Sequence, residues 1–218
     1  MEMFDSVALA YDQWSMDIGL AVRGALELFR LHVYSHFCVQ KRNVVDFLAG
    51  KAHASQYVVL CSHGLGSADT PDESPREMKM GFHVVDQVDG KWQEVEFALT
   101  PATIAEHVKL EGRTVIALGC GNGRESLATA FLDAGCSAYV GAIRPVDQDA
   151  TALFAIAFFY HLLASERDPS VQCSEEEAVK RAMTIDPHFK EGTGVFRYYS
   201  QQSGASCATP AVKIPPTK

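Results

Sequence analysis

Four short runs in this chain are apolar almost throughout: SVALAY (6–11), QYVVLCS (56–62), TVIALG (114–119) and AYVGAI (138–143). They are rich in β-branched and aromatic residues, too short for helices, and suited to strands buried in a core. Between them lie segments with helical spacing, such as WSMDIGLAVRGALELFRLHV (14–33), where Ile18, Val22, Ala25, Leu26 and Phe29 fall on one face. Strands that alternate with helices in this way predict an α/β layer structure with a mostly parallel sheet.

The remaining segments fill in that plan. HFCVQ (36–40) is a second short strand, and NVVDFLA a helix behind an asparagine cap. Residues 66–80 are polar, charged and rich in turn formers, which predicts a long surface loop; its part 67–79 is a candidate processing or regulatory segment. GFHVVDQVDGKWQEVEFAL alternates apolar and polar residues around Asp89-Gly90, a hairpin signal placed just before the strand that leads to Cys120. TPATIAEHVKL has a threonine cap with proline at the first helical position. Helices follow over 124–134, 150–165 and 174–183, and GVFRYYS supplies a last strand. The tail, 201–218, has no periodicity and reads as disordered.

Bulk properties bound the function. A chain of 218 residues is most simply one domain, and its formal charge of −8 argues against nucleic acid and against an anionic membrane surface as partners. No apolar run approaches the roughly 20 residues that span a bilayer. The six cysteines are scattered, with no C-x-x-C pair, which fits reduced thiols in the cytoplasm better than a disulfide framework or a zinc site. No ligand spacing for a metal is present, and no cofactor is expected.

The stretch LGCGNG (118–123) admits two chemistries. As a glycine-rich loop it would seat S-adenosylmethionine in a methyltransferase. That family has an acidic residue two places before the first glycine, where this chain has Ala117, and a ribose-binding carboxylate at the end of the next strand, where it has Ala142, Ile143 and Arg144. As the end of a buried strand, the same stretch delivers Cys120 as a nucleophile. His63 occupies the matching place in VVLCSHG, and both residues are followed by glycine. If the two strands are parallel neighbours, roughly 4.8 Å apart, the imidazole and the thiol reach one substrate. A thiolate can then attack a carbonyl while histidine protonates the leaving amine. The N–H groups of Gly64 and Cys120 can hold the oxyanion.

VVLCSHG, FALTPATIAEHVKLEGRTVIALGCGNG and SLATAFLDAGCSAYVGAIRPVDQDATALFAIAFFYHLL together resemble the caspase-like cysteine peptidase clan, within it the CHAT and separase branch, over about residues 40 to 200. The resemblance implies a caspase-like three-layer sandwich: a mostly parallel central sheet with helices on both faces and an inserted hairpin, forming a single peptidase domain over 1–200. It implies an endopeptidase acting on a protein or peptide substrate, with Cys120 as nucleophile, His63 as general acid–base and Gly64 and Cys120 as oxyanion donors. It also implies a substrate pocket near Arg144, Asp147, Gln148 and Asp149. Arg144 stands where the family has tryptophan, Gln148 falls on the separase branch's acidic position between Asp147 and Asp149, and Leu118 sits where some members carry aspartate. These departures remove the family's basis for a basic-residue preference. The helical repeat region commonly fused to CHAT domains is absent from this sequence, which points to a separate regulatory subunit or a stand-alone enzyme. A catalytically silent caspase-like signalling or binding module is the rival within the same fold. Cys38, Cys61, Cys136 and His161 read as packed residues, and Trp14 and Trp92 as edge or surface anchors.

Overall fold

The computed structural model describes residues 5–51, 54–65, 79–168, 173–190 and 194–201. Six strands form the central sheet: β1 (Ser6–Tyr11), β2 (His32–Phe37), β3 (Tyr57–Cys61), β7 (Thr114–Leu118), β8 (Ala138–Ala142) and β9 (Phe196–Ser200), in the order β2-β1-β3-β7-β8-β9. All pairs are parallel except β8–β9. The four apolar runs read from the sequence are the four inner strands. Their residues are buried because both faces of the sheet are covered.

Alternation along the strands divides the core in two. Leu9, Tyr57, Val59, Ile116 and Val140 face α1 (Met16–Leu28), α5 (Gln148–Arg167) and α6 (Glu175–Ala182). Ala8, Val58, Leu60, Val115 and Tyr139 face α2 (Lys41–Leu48), α3 (Pro101–His107) and α4 (Glu125–Asp133). Helices therefore flank the sheet on both faces, the three-layer arrangement expected.

A second, three-stranded antiparallel sheet consists of β4 (His63–Leu65), β5 (Lys79–Val88) and β6 (Lys91–Leu99). The hairpin turns at Asp89 and Gly90, both with positive φ (52° and 77°), as the Asp-Gly pair foretells. Its base buries Met80, Phe82, Val84, Phe97 and Leu99 against the α2–α4 side of the core, and its tip is exposed. Thr100 caps α3 by accepting from the Thr103 N–H, with Pro101 at the first helical position.

Several boundaries differ from expectation. The helix predicted over 14–33 stops at Leu28, where Arg30 turns with φ 69°, and His32 and Val33 begin β2, which starts four residues earlier than predicted. α2 is capped by Gln40 rather than Asn43; the Asn43 side chain accepts from the Gln40 N–H in a reciprocal capping box. β3 ends at Cys61, so His63 lies beyond it and opens β4. Of the predicted loop 66–80, residues 66–78 lie outside the described residues, while Lys79 and Met80 belong to β5. Within the tail, Gln201 is still held by Ser137 O and Leu132 O, and 202–218 lie outside the described residues.

Phe158 is fully buried between α5 and the sheet, edge-on to Tyr57 and Phe159. Phe158→Ala is expected to lower unfolding stability by about 3–5 kcal/mol in urea titrations, because the ring leaves a cavity. A loss below about 1 kcal/mol would mean that the core collapses around the gap.

Candidate active site

The strand register fixes where the site forms. β3 pairs with β7 so that Cys61 lies opposite Leu118, and the Ser62 N–H extends the ladder to Leu118 O at 3.3 Å. His63 and Cys120 each stand two residues past these partners, at the same edge of adjacent strands. Their strands send Cys61 and Leu118 toward α1 and α5. Beyond them a cleft of about 120 Å³ is lined by Ile18 of α1, His63, Gly64, Cys120, Val146 and Thr151 of α5.

Close backbone approach holds the two strand ends together. A Cβ placed on Gly64 would fall 1.5 Å from the Cys120 carbonyl oxygen, and one on Gly119 would fall 2.5 Å from Ser62 O. Gly123 stands against the Gly141 backbone and donates to Ala142 O at 2.7 Å, and Gly121 takes φ 70°. Gly119 and Gly123 are thus spent on contact with neighbouring protein backbone and Gly121 on a left-handed turn, which is not how a nucleoside-binding loop uses them. Asn122 is fully buried and donates to Ser62 Oγ at 3.0 Å, while Tyr139 Oη donates to Asn122 O at 2.7 Å.

The Cys120 thiol lies between the N–H and the carbonyl of Val146, each 3.4 Å from Sγ. His63 Nε2 is buried without a hydrogen-bond partner and lies 3.9 Å from Asp12 Oδ1. The imidazole and the thiol are therefore not bonded to one another; both front the cleft.

Sequence reasoning missed Asp12. It follows the last residue of β1, whose Tyr11 pairs with Cys61, so Asp12 reaches the same edge one strand away. The chain leaves β1 toward β2 on one side and β3 leads toward β7 on the other, the switch in strand order where open α/β sheets form crevices. Asp12 is fully buried and its carboxylate is saturated: Oδ1 accepts from Trp14 N (3.0 Å), Ser15 N (2.9 Å) and Ser15 Oγ (2.8 Å), and Oδ2 from His83 N (2.6 Å). The signal was an acidic residue directly after an apolar strand, in SVALAYD; nothing in the sequence said that β1 neighbours β3.

Burial lowers the His63 pKa from its ordinary value near 6.5, opposed by the Asp12 charge, while nearby His83 lowers it and Glu96 raises it. The ring is thus neutral at pH 7. The buried thiols behave differently: burial raises Cys38 and Cys136 to about 12 and Cys61 higher still, so these are protonated packing residues.

The expected pocket residues separate. Arg144 and Asp147 line a second depression of about 520 Å³ with Cys120, Val146, Asp186 and Phe189. Gln148 lines the smaller cleft instead, and Asp149 is exposed and lines neither. Trp14 and Trp92 are exposed, as expected of surface anchors. Among the described residues no group of three or more His, Cys, Asp or Glu is arranged to hold a metal ion, and no helix is long and apolar enough to cross a membrane.

Comparison with solved structures identifies the fold as caspase-like. The chain is similar to separase in the Saccharomyces cerevisiae separase–securin complex, with a TM-score of 0.52 and 12% identity over 90% of this chain and 12% of that one. It is similar to Porphyromonas gingivalis RgpB in the complex of its pro- and mature domains, with a TM-score of 0.53 and 9% identity over 90% of this chain and 47% of that one. The chain thus spans about an eighth and about half the lengths of these neighbours. No family model and no curated protein sequence matches it.

Two predictions test this geometry. Gly64→Ala is expected to lower the melting temperature, whereas Gly24→Ala, at an open helical position, is expected to add about 0.5–1 kcal/mol; equal effects would refute the contact between Gly64 and Cys120. In Asp12→Asn the NMR titration midpoint of His63 is expected to move further down, since the charge that favours imidazolium is gone and burial remains. A midpoint that rises would show that Asp12 does not act on His63.

Proposed function

We propose that this chain is a cysteine endopeptidase of the caspase-like clan, in its CHAT and separase-like branch, formed by a single domain over residues 1–200. The observation that carries this is the in-register pairing of β3 and β7, which brings His63 and Cys120 to one cleft. The caspase-like fold of its structural neighbours supports the assignment.

The chemistry runs as follows. Neutral His63 accepts the Cys120 thiol proton, and Sγ attacks the scissile carbonyl carbon. The carbonyl oxygen becomes an oxyanion held by the N–H groups of Gly64 and Cys120. As the C–N bond breaks, His63 returns the proton to the departing amine, leaving a thioester on Cys120. Water then gives a proton to His63 and its oxygen to the acyl carbon; collapse releases the carboxylic acid, and the thiol regains its proton. Asp12, 3.9 Å from Nε2, stabilises through its charge the imidazolium formed midway.

The depression beside Cys120 that contains Arg144 and Asp147 is the candidate pocket for the residue before the cleaved bond, and Gln148 and Asp149 flank it in sequence. The substrate is a protein or peptide. A regulatory partner is a further element, by analogy with neighbours captured with securin and with a pro-domain. Free thiols at Cys38, Cys61, Cys120, Cys136 and Cys173 suit the cytoplasm. The silent-module alternative draws on the Val146 backbone, which occupies the thiol's hydrogen-bonding positions.

An electrophilic peptide probe separates these. Labelling of Cys120 is expected to vanish in Cys120→Ala and to slow by about 10²–10⁴-fold in His63→Ala. Labelling of Cys120 no faster than that of the exposed thiols of the denatured chain would end the peptidase assignment.

A further inference from the structure

His83 lies on β5 between the buried residues Phe82 and Val84, so the strand's alternation turns it to the outer face of the hairpin sheet. There its ring meets that of His63 edge to face, with centroids 5.3 Å apart and planes at 78°. Trp14 covers its other flank at 5.0 Å, and Glu94 lies 3.4 Å from Nδ1 while also accepting the Trp14 indole N–H. The backbone N–H of His83 donates to Asp12 Oδ2, and Asp12 Oδ1 faces His63. One residue therefore reaches His63 by two routes, directly through its ring and indirectly through the carboxylate.

We infer that His83 is a positioning residue for His63: its ring, held between Trp14 and Glu94, braces the imidazole beside Asp12. The inference rests on His63 being the acid–base of the proposed reaction. The groups that face His63 are Asp12 after β1, His83 on β5, Glu96 opposite it on β6, and Cys120 after β7. Asp12 and Glu96 favour the imidazolium; His83 and burial oppose it. Among the described residues Asp12 lies beside His63 and Glu94 beside His83.

The test uses the full chain, with the His63 ring signal identified by its loss in His63→Gln. In His83→Phe, which keeps an aromatic brace and removes the second imidazole, the His63 titration midpoint is expected to rise, because the neighbouring histidine lowers it. In His83→Ala, iodoacetamide alkylation of Cys120 at pH 7 is expected to slow about tenfold, with Phe restoring most of the rate. An unmoved midpoint in His83→Phe overturns the inference, as does alkylation of His83→Ala at the wild-type rate. Failure of the peptidase assignment itself is distinct: it shows in the wild-type chain, as a Cys120 thiol no more reactive than that of an unfolded chain.

Discussion

The pairing of β3 with β7 is the contact on which the rest depends. Both strands are buried on both faces, and their side chains alternate between two core clusters. A slip of one residue would exchange every side chain between the α1–α5 face and the α2–α4 face. It would also carry Gly64 away from the Cys120 carbonyl, where only a residue without a Cβ fits. Core packing and the alignment of histidine with cysteine are thus the same constraint. The register that fills the interior also builds the cleft.

Asp12 ties that edge to the second sheet. A buried carboxylate costs several kcal/mol unless its oxygens are satisfied. Here the Trp14 and Ser15 groups of the turn leading into α1, and the His83 N–H of β5, supply the donors. Ser15 Oγ also lies 2.8 Å from the carbonyl of Cys61 at the end of β3. The adjoining turn and the distant β5 therefore converge on one charge, and the turn after β1 owes its shape to it. A carboxylate with this many partners is a rigid reference point for a neighbouring imidazole.

How much of this could be read from the sequence follows from the range of each signal. The four apolar runs, the Asp-Gly turn and the Thr100-Pro101 helix start are local, and each appears in the structure where the sequence placed it. His63 and Cys120 were legible because both sit after apolar strands and before glycines. Asp12 and His83 were not, because their significance depends on strand order and on which face of a hairpin turns outward. β2 was misplaced because Leu31, His32 and Val33 continue the helical pattern of α1, and only the left-handed turn at Arg30 breaks it. Gln148 and Asp149 are adjacent in sequence yet diverge in space, since neighbouring helical positions point about 100° apart.

The hairpin is buried at its base and bare at its tip. Backbone hydrogen bonds at the tip, around Val88 and Trp92, lack the apolar cover that protects Phe82 and Leu99, so opening is cheapest there and grows costlier toward the core. Glu94 belongs to the bare half and the His83 backbone to the covered half. Fraying that runs from the tip down thus reaches the Trp14–Glu94 link before it reaches Asp12. The histidine's surroundings can loosen on the timescale of local unfolding while the strand that carries the thiol stays shut, so the two halves of the cleft belong to regions of different hydrogen-exchange protection.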